Sequence, residues 1–280
     1  MKAFPVPVVA LGAGAMVEEE PLEFIRMPQG MSTFRMPSTP AESDPASLAE
    51  AREFLARLVG LARSHRFAGD AVLQVPVAGL GPRALALVNE TLGEGEVGAI
   101  IEEPSVRLQE TGFPGFWRVR TFDDAGQLTA DQIEVAPVPT VVAESALLGS
   151  RCRMPKHPLE HGVVNAPSLL TELVDASTRG PGPQAHVVNL TLLPVTPQDI
   201  SWLVNALEVG PVTMLSRGYG NCRITSTRLR HTWWVQYFNS MDNLILNTIE
   251  VTAVPEVALA APEDYADSVD RLEEWLGTLS

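Results

Sequence analysis

The sequence predicts an α+β fold built from two tandem copies of a strand–helix–antiparallel-sheet unit. Each copy is of the two-layer α/β sandwich type, and an extended Pro- and Met-rich N-terminal arm precedes them. Three observations carry this. Residues 88–139 slide onto 204–255 by 116 positions without a gap, with 13 identities in 52 positions, clustered on large side chains. Each copy reads as an apolar strand, a helix and four strand-like runs joined by short turns, which favours antiparallel pairing. Apolar stripes of helical spacing mark a first helix after Asp44-Pro45 and a last one at 262–278. The expected divisions are an arm at 1–45, a helix plus first repeat at 46–148, a linker at 149–185 and a second repeat at 186–280.

In the arm, Pro5, Pro7, Pro21, Pro28, Pro37, Pro40 and Pro45 exclude long helices and central strands. Five of the eight methionines lie there, and two readings stand: an arm lying over the domain, or one that grips a partner with adaptable Met side chains. Asp44 caps a first helix with Pro45 in its first turn, and Leu48, Ala51, Phe54, Leu55, Leu58, Val59 and Ala62 form its apolar stripe. Apolar strands follow at 71–77 and 187–193. Gly81-Pro82 opens the next helix in one copy and Thr196-Pro197 in the other, with Gly93 and Gly210 as stops. The four strands fall near 97–102, 105–110, 116–122 and 128–135, then at 212–217, 221–228, 232–239 and 243–251. Asp123 to Gln127 and Asn239 to Asn243 have turn chemistry. Residues 149–185 read as loop, with Pro155, Pro158 and Gly180-Pro181-Gly182-Pro183. A last helix at 262–278 sets Tyr265, Val269, Leu272, Trp275, Leu276 and Leu279 on one face, with packing on one side of each sheet expected.

Composition narrows the function. Asp and Glu number 34 against 20 Lys and Arg, which argues against a nucleic-acid partner and favours a basic peptide or protein surface. Two cysteines make no disulfide scaffold, no apolar run approaches the ~18 residues of a membrane span, and Pro5 and Pro7 interrupt the signal-like start, so a cytoplasmic protein is expected. No G-x-S-x-G, H-E-x-x-H or dinucleotide fingerprint is present, so no catalytic residue is assigned and no cofactor is expected.

The conspicuous stretch is SRGYGNCRI at 216–224. The slide puts Cys222 on Val106 and Ile224 on Leu108, so the thiol reads as a small core residue, while Arg223 and Arg107 point to the other face. Arg217, Gly218, Tyr219, Gly220 and Asn221 form a glycine-rich turn with no echo in Ile101 to Ser105. On the neighbouring strand, Trp234 and Gln236 replace Arg118 and Arg120, and that face either packs inside the chain or binds a partner. With Arg223 and Tyr237 these residues make the candidate partner-binding set. A weaker alternative is metal binding by Cys152, His157 and His161, spaced C-x4-H-x3-H without an obvious fourth ligand. Acids Glu263, Asp264, Asp267, Asp270, Glu273 and Glu274 on the last helix read as a solvated face or a lure for a basic peptide.

SRGYGNCRITST at 216–227, WWVQYFNS at 233–240, ILNTIEV at 245–251 and PEVALAA at 255–261 resemble the C-terminal region of the HupH/HyaF hydrogenase expression/formation proteins. FPVPV at 4–8 and Met31-Ser32-Thr33 are similar to the family's start, so the resemblance covers nearly the whole chain except the linker. It implies a non-enzymatic bacterial chaperone or scaffold for [NiFe]-hydrogenase maturation. Its implied partner is the iron–sulfur small-subunit precursor, which carries a twin-arginine signal peptide, together with other maturation proteins. The alternative is a nickel or iron–sulfur delivery protein using Cys152, His157, His161 or Cys222. The resemblance carries over no catalytic residue.

Overall fold

The computed structural model describes residues 36, 44–67, 69, 71–102, 105–218 and 220–278; the expected arm, apart from Met36 and the start of the first helix, lies outside them, as do Tyr219 and Leu279. The chain begins with α1 (Pro45–Ser64), β1 (Leu73–Pro76), α2 (Pro82–Leu92), β2 (Val97–Ile101), β3 (Val106–Glu110), β4 (Phe116–Phe122), β5 (Leu128–Val135) and α3 (Thr140–Leu147). It continues through α4 (Ala166–Arg179), β6 (His186–Asn189), α5 (Pro197–Leu207), β7 (Val209–Ser216), β8 (Asn221–Thr227), β9 (Thr232–Phe238), β10 (Leu244–Val251), a 3-10 turn at Glu256–Ala258 and α6 (Pro262–Thr278). No helix among the described residues is long and apolar enough to cross a membrane.

The predicted caps form. The Asp44 side chain accepts from Ala46 and Ser47, and Thr196 and Asp199 make a reciprocal capping box at α5. Two expectations about helices are corrected. α4 occupies the stretch read as loop, its apolar face (Leu173, Ala176) buried with α5, β6 and β10, while Pro-rich segments on either side of it dominate the linker's composition. Gly210 does not stop α5, which ends at Leu207 with Glu208 at φ 54°; Gly210 lies inside β7, where it is small because a Cβ would collide with Ser226 on β8.

All strands join one antiparallel sheet in the order β1-β5-β4-β3-β2-β7-β8-β9-β10-β6. The expected separate sheets are thus continuous through β2 and β7, where Ala99 lies opposite Met214. The order reads as a mirror about that seam. The ladders match in register: Val106–Thr121 and Leu108–Val119 in one half, Cys222–Tyr237 and Ile224–Val235 in the other, each shifted by 116. Thr111 and Thr227 close the same hydroxyl–backbone turn onto Phe113 and Leu229. Before β3 the shift is 115. Pro82 and Pro197 both start helices, and the fully buried Val88 answers to Leu203, so the Val88–Val204 match in the ungapped slide is one residue out. The extra residue of the second half lies in the turn from Arg217 to Asn221.

Side-chain alternation splits the core. On one face of the sheet, Val119, Trp117, Ile224 and Trp233 pack with Val142 and Ala146 of α3 and with Ala258. On the other, α1, α2 and α6 cover Phe116, Ile133 and Val135, while α4 and α5 cover Trp234, Ile249 and Val251. Helical elements therefore cover both faces, and the expectation of one covered face is not met. α6 packs on α1 across the chain, and the Tyr265 hydroxyl donates to the Ala62 carbonyl at 2.7 Å.

Where α6 meets the end of β3, Glu110 is buried. Burial pushes its carboxyl up to about 7, the Gly115 N–H opposes this, and the Glu96 and Asp264 charges add to it. The folded pKa lies above the unfolded value of 4.5, so its contribution to stability is lost as pH rises from there to about 7. Glu110→Gln is expected to remove a loss on the order of 3 kcal/mol between those limits, seen as a higher urea midpoint at pH 8. An unchanged difference between variant and parent from pH 4 to pH 8 would refute this.

Candidate functional site

The turn between β7 and β8 opens a pocket of about 350 Å³ lined by Leu215, Ser216, Arg217, Asn221, Cys222, Arg223, Phe238 and Asp242. Five of these eight come from SRGYGNCRI beyond its first residue's neighbour Leu215, so the stretch singled out in the sequence does shape a concave surface. The Arg217 N–H donates to the Glu96 carbonyl at 3.1 Å. Gly218 lets the Glu96 carboxylate lie against the turn, and Gly220 sits at φ 105°, open to glycine at little cost. Asn221 Nδ2 donates to Asp242 Oδ1 at 3.2 Å, tying the turn to the β9–β10 hairpin. That hairpin is held by Asn239 Oδ1, which accepts from Met241 and Asn243. Beside it, Met241, Leu244 and Ile245 are exposed. Tyr219 lies outside the described residues.

The arginine stacks repeat across the halves. The Arg223 guanidinium lies 5.5 Å from the Phe238 ring centroid, and Arg107 lies 5.3 Å from Phe122, the pair at the same offset of 116. Arg223 is buried, which lowers its pKa. Cys222 faces the other side, in the core with Val106 and Trp233; burial pushes its thiol up to about 12, so it is neither a thiolate nucleophile nor a ready ligand near neutral pH.

The remaining members of the predicted set do not share one surface. Tyr237 stands on the Cys222 face, pushed up to about 12 by burial and by the neighbouring thiol. Gln236 is buried, opposite Arg223 on the neighbouring strand. Trp234 is 4% exposed and Nε1 donates to Asn247 Oδ1 at 2.6 Å, so of its two readings the internal packing against α4 and α5 holds. Cys152 and His161 are exposed, and the His157 ring stands edge-on to Trp202 at 6.0 Å. Among the described residues no group of three or more His, Cys, Asp or Glu side chains is placed to hold a metal. On α6, Asp270 and Glu273 pair with Arg63 of α1, and Asp267 pairs with Arg271, which takes up part of the acidic face.

Sequence reasoning gave no role to Glu134, although it recurs as Glu250 in the slide. Glu134 is buried and accepts from Gln74 Nε2 at 2.9 Å and the Thr140 N–H at 2.8 Å, joining β1 and β5 to the start of α3. An acid repeated inside an apolar strand was the available signal.

A family model described as HupH hydrogenase expression protein, C-terminal conserved region, matches residues 48–146 and 163–279. The loop bearing Cys152, His157 and His161 falls between the matched segments. The chain is 45% identical to hydrogenase expression/formation protein HoxQ of Cupriavidus necator over 100% of both chains. It is 43% identical to hydrogenase expression/formation protein HupH of Rhodobacter capsulatus, covering 98% of this chain and 97% of that one. It is 35% identical to hydrogenase-1 operon protein HyaF of Escherichia coli K12 over 73% and 74% of the two chains. A solved hydrogenase expression protein HupH from Thiobacillus denitrificans is 26% identical, covers 41% of this chain and 96% of its own, and has a TM-score of 0.38. The chain belongs to the HupH hydrogenase expression protein family.

Proposed function

We propose that this chain is a non-enzymatic assembly factor for [NiFe]-hydrogenase, a chaperone or scaffold that holds the iron–sulfur small-subunit precursor in the cytoplasm before export. The observation that carries the reading is the 45% identity, over the whole of both chains, to a hydrogenase expression/formation protein. The site agrees with recognition more than with chemistry. Its pocket is lined by a turn and an arginine–phenylalanine stack, exposed apolar side chains lie on the neighbouring hairpin, and the Cys222 thiol is pushed toward the inert form. Arg217, Gly218, Tyr219, Gly220 and Asn221 supply the contact surface in this reading, with Arg223 stacked beside them and Trp234 and Gln236 as support beneath. The common offset in the ladders supports treating the two halves as copies of one unit, with the extra turn residue as the second copy's specialisation.

The test is a pull-down with the tagged protein from cells making the hydrogenase. The small-subunit precursor should be recovered, and Arg217→Glu combined with Asn221→Ala should reduce recovery about tenfold without lowering the melting temperature by more than a few degrees. Recovery of the large subunit in place of the precursor would overturn the proposal.

A further inference from the structure

Between its two helix layers the sheet has a bare strip. On the side covered by α1, α2 and α6 and by α4 and α5, neither core cluster contains a residue of β2, β3 or β7. Across this strip runs a row of cross-strand partners, the exposed Arg120 and Arg107 and the half-buried Ile100 and Thr213, which ends at the buried Thr225. All face the helix side, because their neighbours Val106, Leu108 and Val119 belong to the opposite core. Arg107 and Arg120 are both exposed and lie directly opposite each other. Like charges so placed repel and weaken the sheet. Asp131, next along the row, is already held by Arg118. Among the described residues neither Arg107 nor Arg120 makes an ion pair.

The other half handles these positions differently. There Arg223 and Gln236 form the pair, one charge in place of two, and both are buried. The exposed double charge is thus a feature of the first half alone. It stands on a chain whose formal net charge is -14, where a cationic sheet face needs a reason. The stack of Arg107 on Phe122 holds one guanidinium in place before any partner arrives.

We propose that this strip docks an acidic segment of a partner protein, with a carboxylate bridging the Arg107 and Arg120 guanidinium groups. Charge complementarity selects the occupant: a carboxylate relieves the cross-strand repulsion, and a basic segment would add to it. The proposal is independent of the reading of the Arg217 to Asn221 turn, since it concerns the other half and requires no hydrogenase client.

The experiment measures fluorescence anisotropy of labelled peptides of roughly ten residues, long enough to cross the strip, alternating glycine with glutamate or with glutamine. The parent protein should bind the glutamate peptide at least about tenfold tighter than the glutamine peptide at low salt. Arg107→Glu with Arg120→Glu should abolish that preference, and Arg52→Glu on α1 should keep it. Arg120→Gln alone should weaken binding without lowering the melting temperature, because it removes the cross-strand repulsion with Arg107 and puts no second acid opposite Asp131; a merely structural arginine would lower it. No preference in the parent, a preference that survives the double reversal, or an equal loss with Arg52→Glu would each overturn the proposal.

Discussion

Asp199→Ala is expected to cost about 3–5 kcal/mol in urea unfolding, close to abolishing the native state of a domain with ordinary marginal stability. The carboxyl is fully buried at the first turn of α5. Its Oδ1 accepts from the backbone N–H groups of Val164, Asn165 and Ala166 at 2.8, 2.9 and 2.9 Å, and Oδ2 accepts from Thr196 at 3.0 Å. It therefore caps α5 and seats the start of α4 at the same time. Burial alone would raise its pKa, but the N–H donors of Thr196, Ala166, Val164 and Asn165 outweigh it and hold the group at about 2. The folded pKa lies below the unfolded one, so the contribution is present above about pH 4 and is lost as pH falls through 2, a total of about 2.5 kcal/mol. Asp199→Asn keeps an acceptor but no charge. It should cost less than the alanine variant and should abolish this acid-side slope. Unfolding of Asp199→Ala within about 1 kcal/mol of the parent would refute the assignment.

The strands and the helices α1, α2, α5 and α6 were legible in the sequence, whereas α3 and α4 were not. Repetition made β3 to β5 and β8 to β10 legible, because large side chains at matched offsets occupy matched places: Trp117 and Trp233 both donate from Nε1 to carbonyls just past the end of the following strand. α4 was missed although Leu169, Leu170, Leu173 and Val174 keep helical spacing, because Pro155, Pro158 and the Gly180 to Pro183 run on either side made the whole stretch read as loop. Asp199 was hidden too. It stands where the first half has the buried Ala84, and an acid in a first helical turn ordinarily reads as a solvated N-terminal charge.

The candidate site was legible in part. Alternation assigned Cys222 to the core before any geometry, and the turn from Arg217 to Asn221 stood out because nothing in the first half echoes it. Sequence proximity misled for Trp234 and Tyr237. Residues adjacent along β9 face opposite sides of the sheet, and only the covering helices decide which side is open. Alternation put Arg107 and Arg120 on the face away from the Cys222 core, but that this face is open there depends on which strands the helices cover.

Arg118→Ala should cost about 3–5 kcal/mol, and Asp131→Ala nearly as much, because each leaves a desolvated charge without its counterpart. The Arg118 Nη2 donates to Asp131 Oδ2 at 2.7 Å and Nη1 donates to Asn89 Oδ1 at 2.8 Å, with side-chain exposures of 7% and 15% for the ion pair. The molecule contains its own control. Shifted by 116, the same two places hold Trp234 and Asn247, joined by one neutral hydrogen bond. Two solutions to one packing problem are thus present in one sheet: a bidentate ion pair reaching α2, and an indole–amide pair lying under α4 and α5. Breaking a buried pair from one side is costly, whereas replacing both partners with a matched neutral pair is often tolerated. Arg118→Trp combined with Asp131→Asn is therefore expected to lie within about 2 kcal/mol of the parent, while the two single alanine variants do not. A double replacement as unstable as the sum of the single ones would mean that the two halves differ in the space above the sheet, and that the ion pair is required by the helix it reaches.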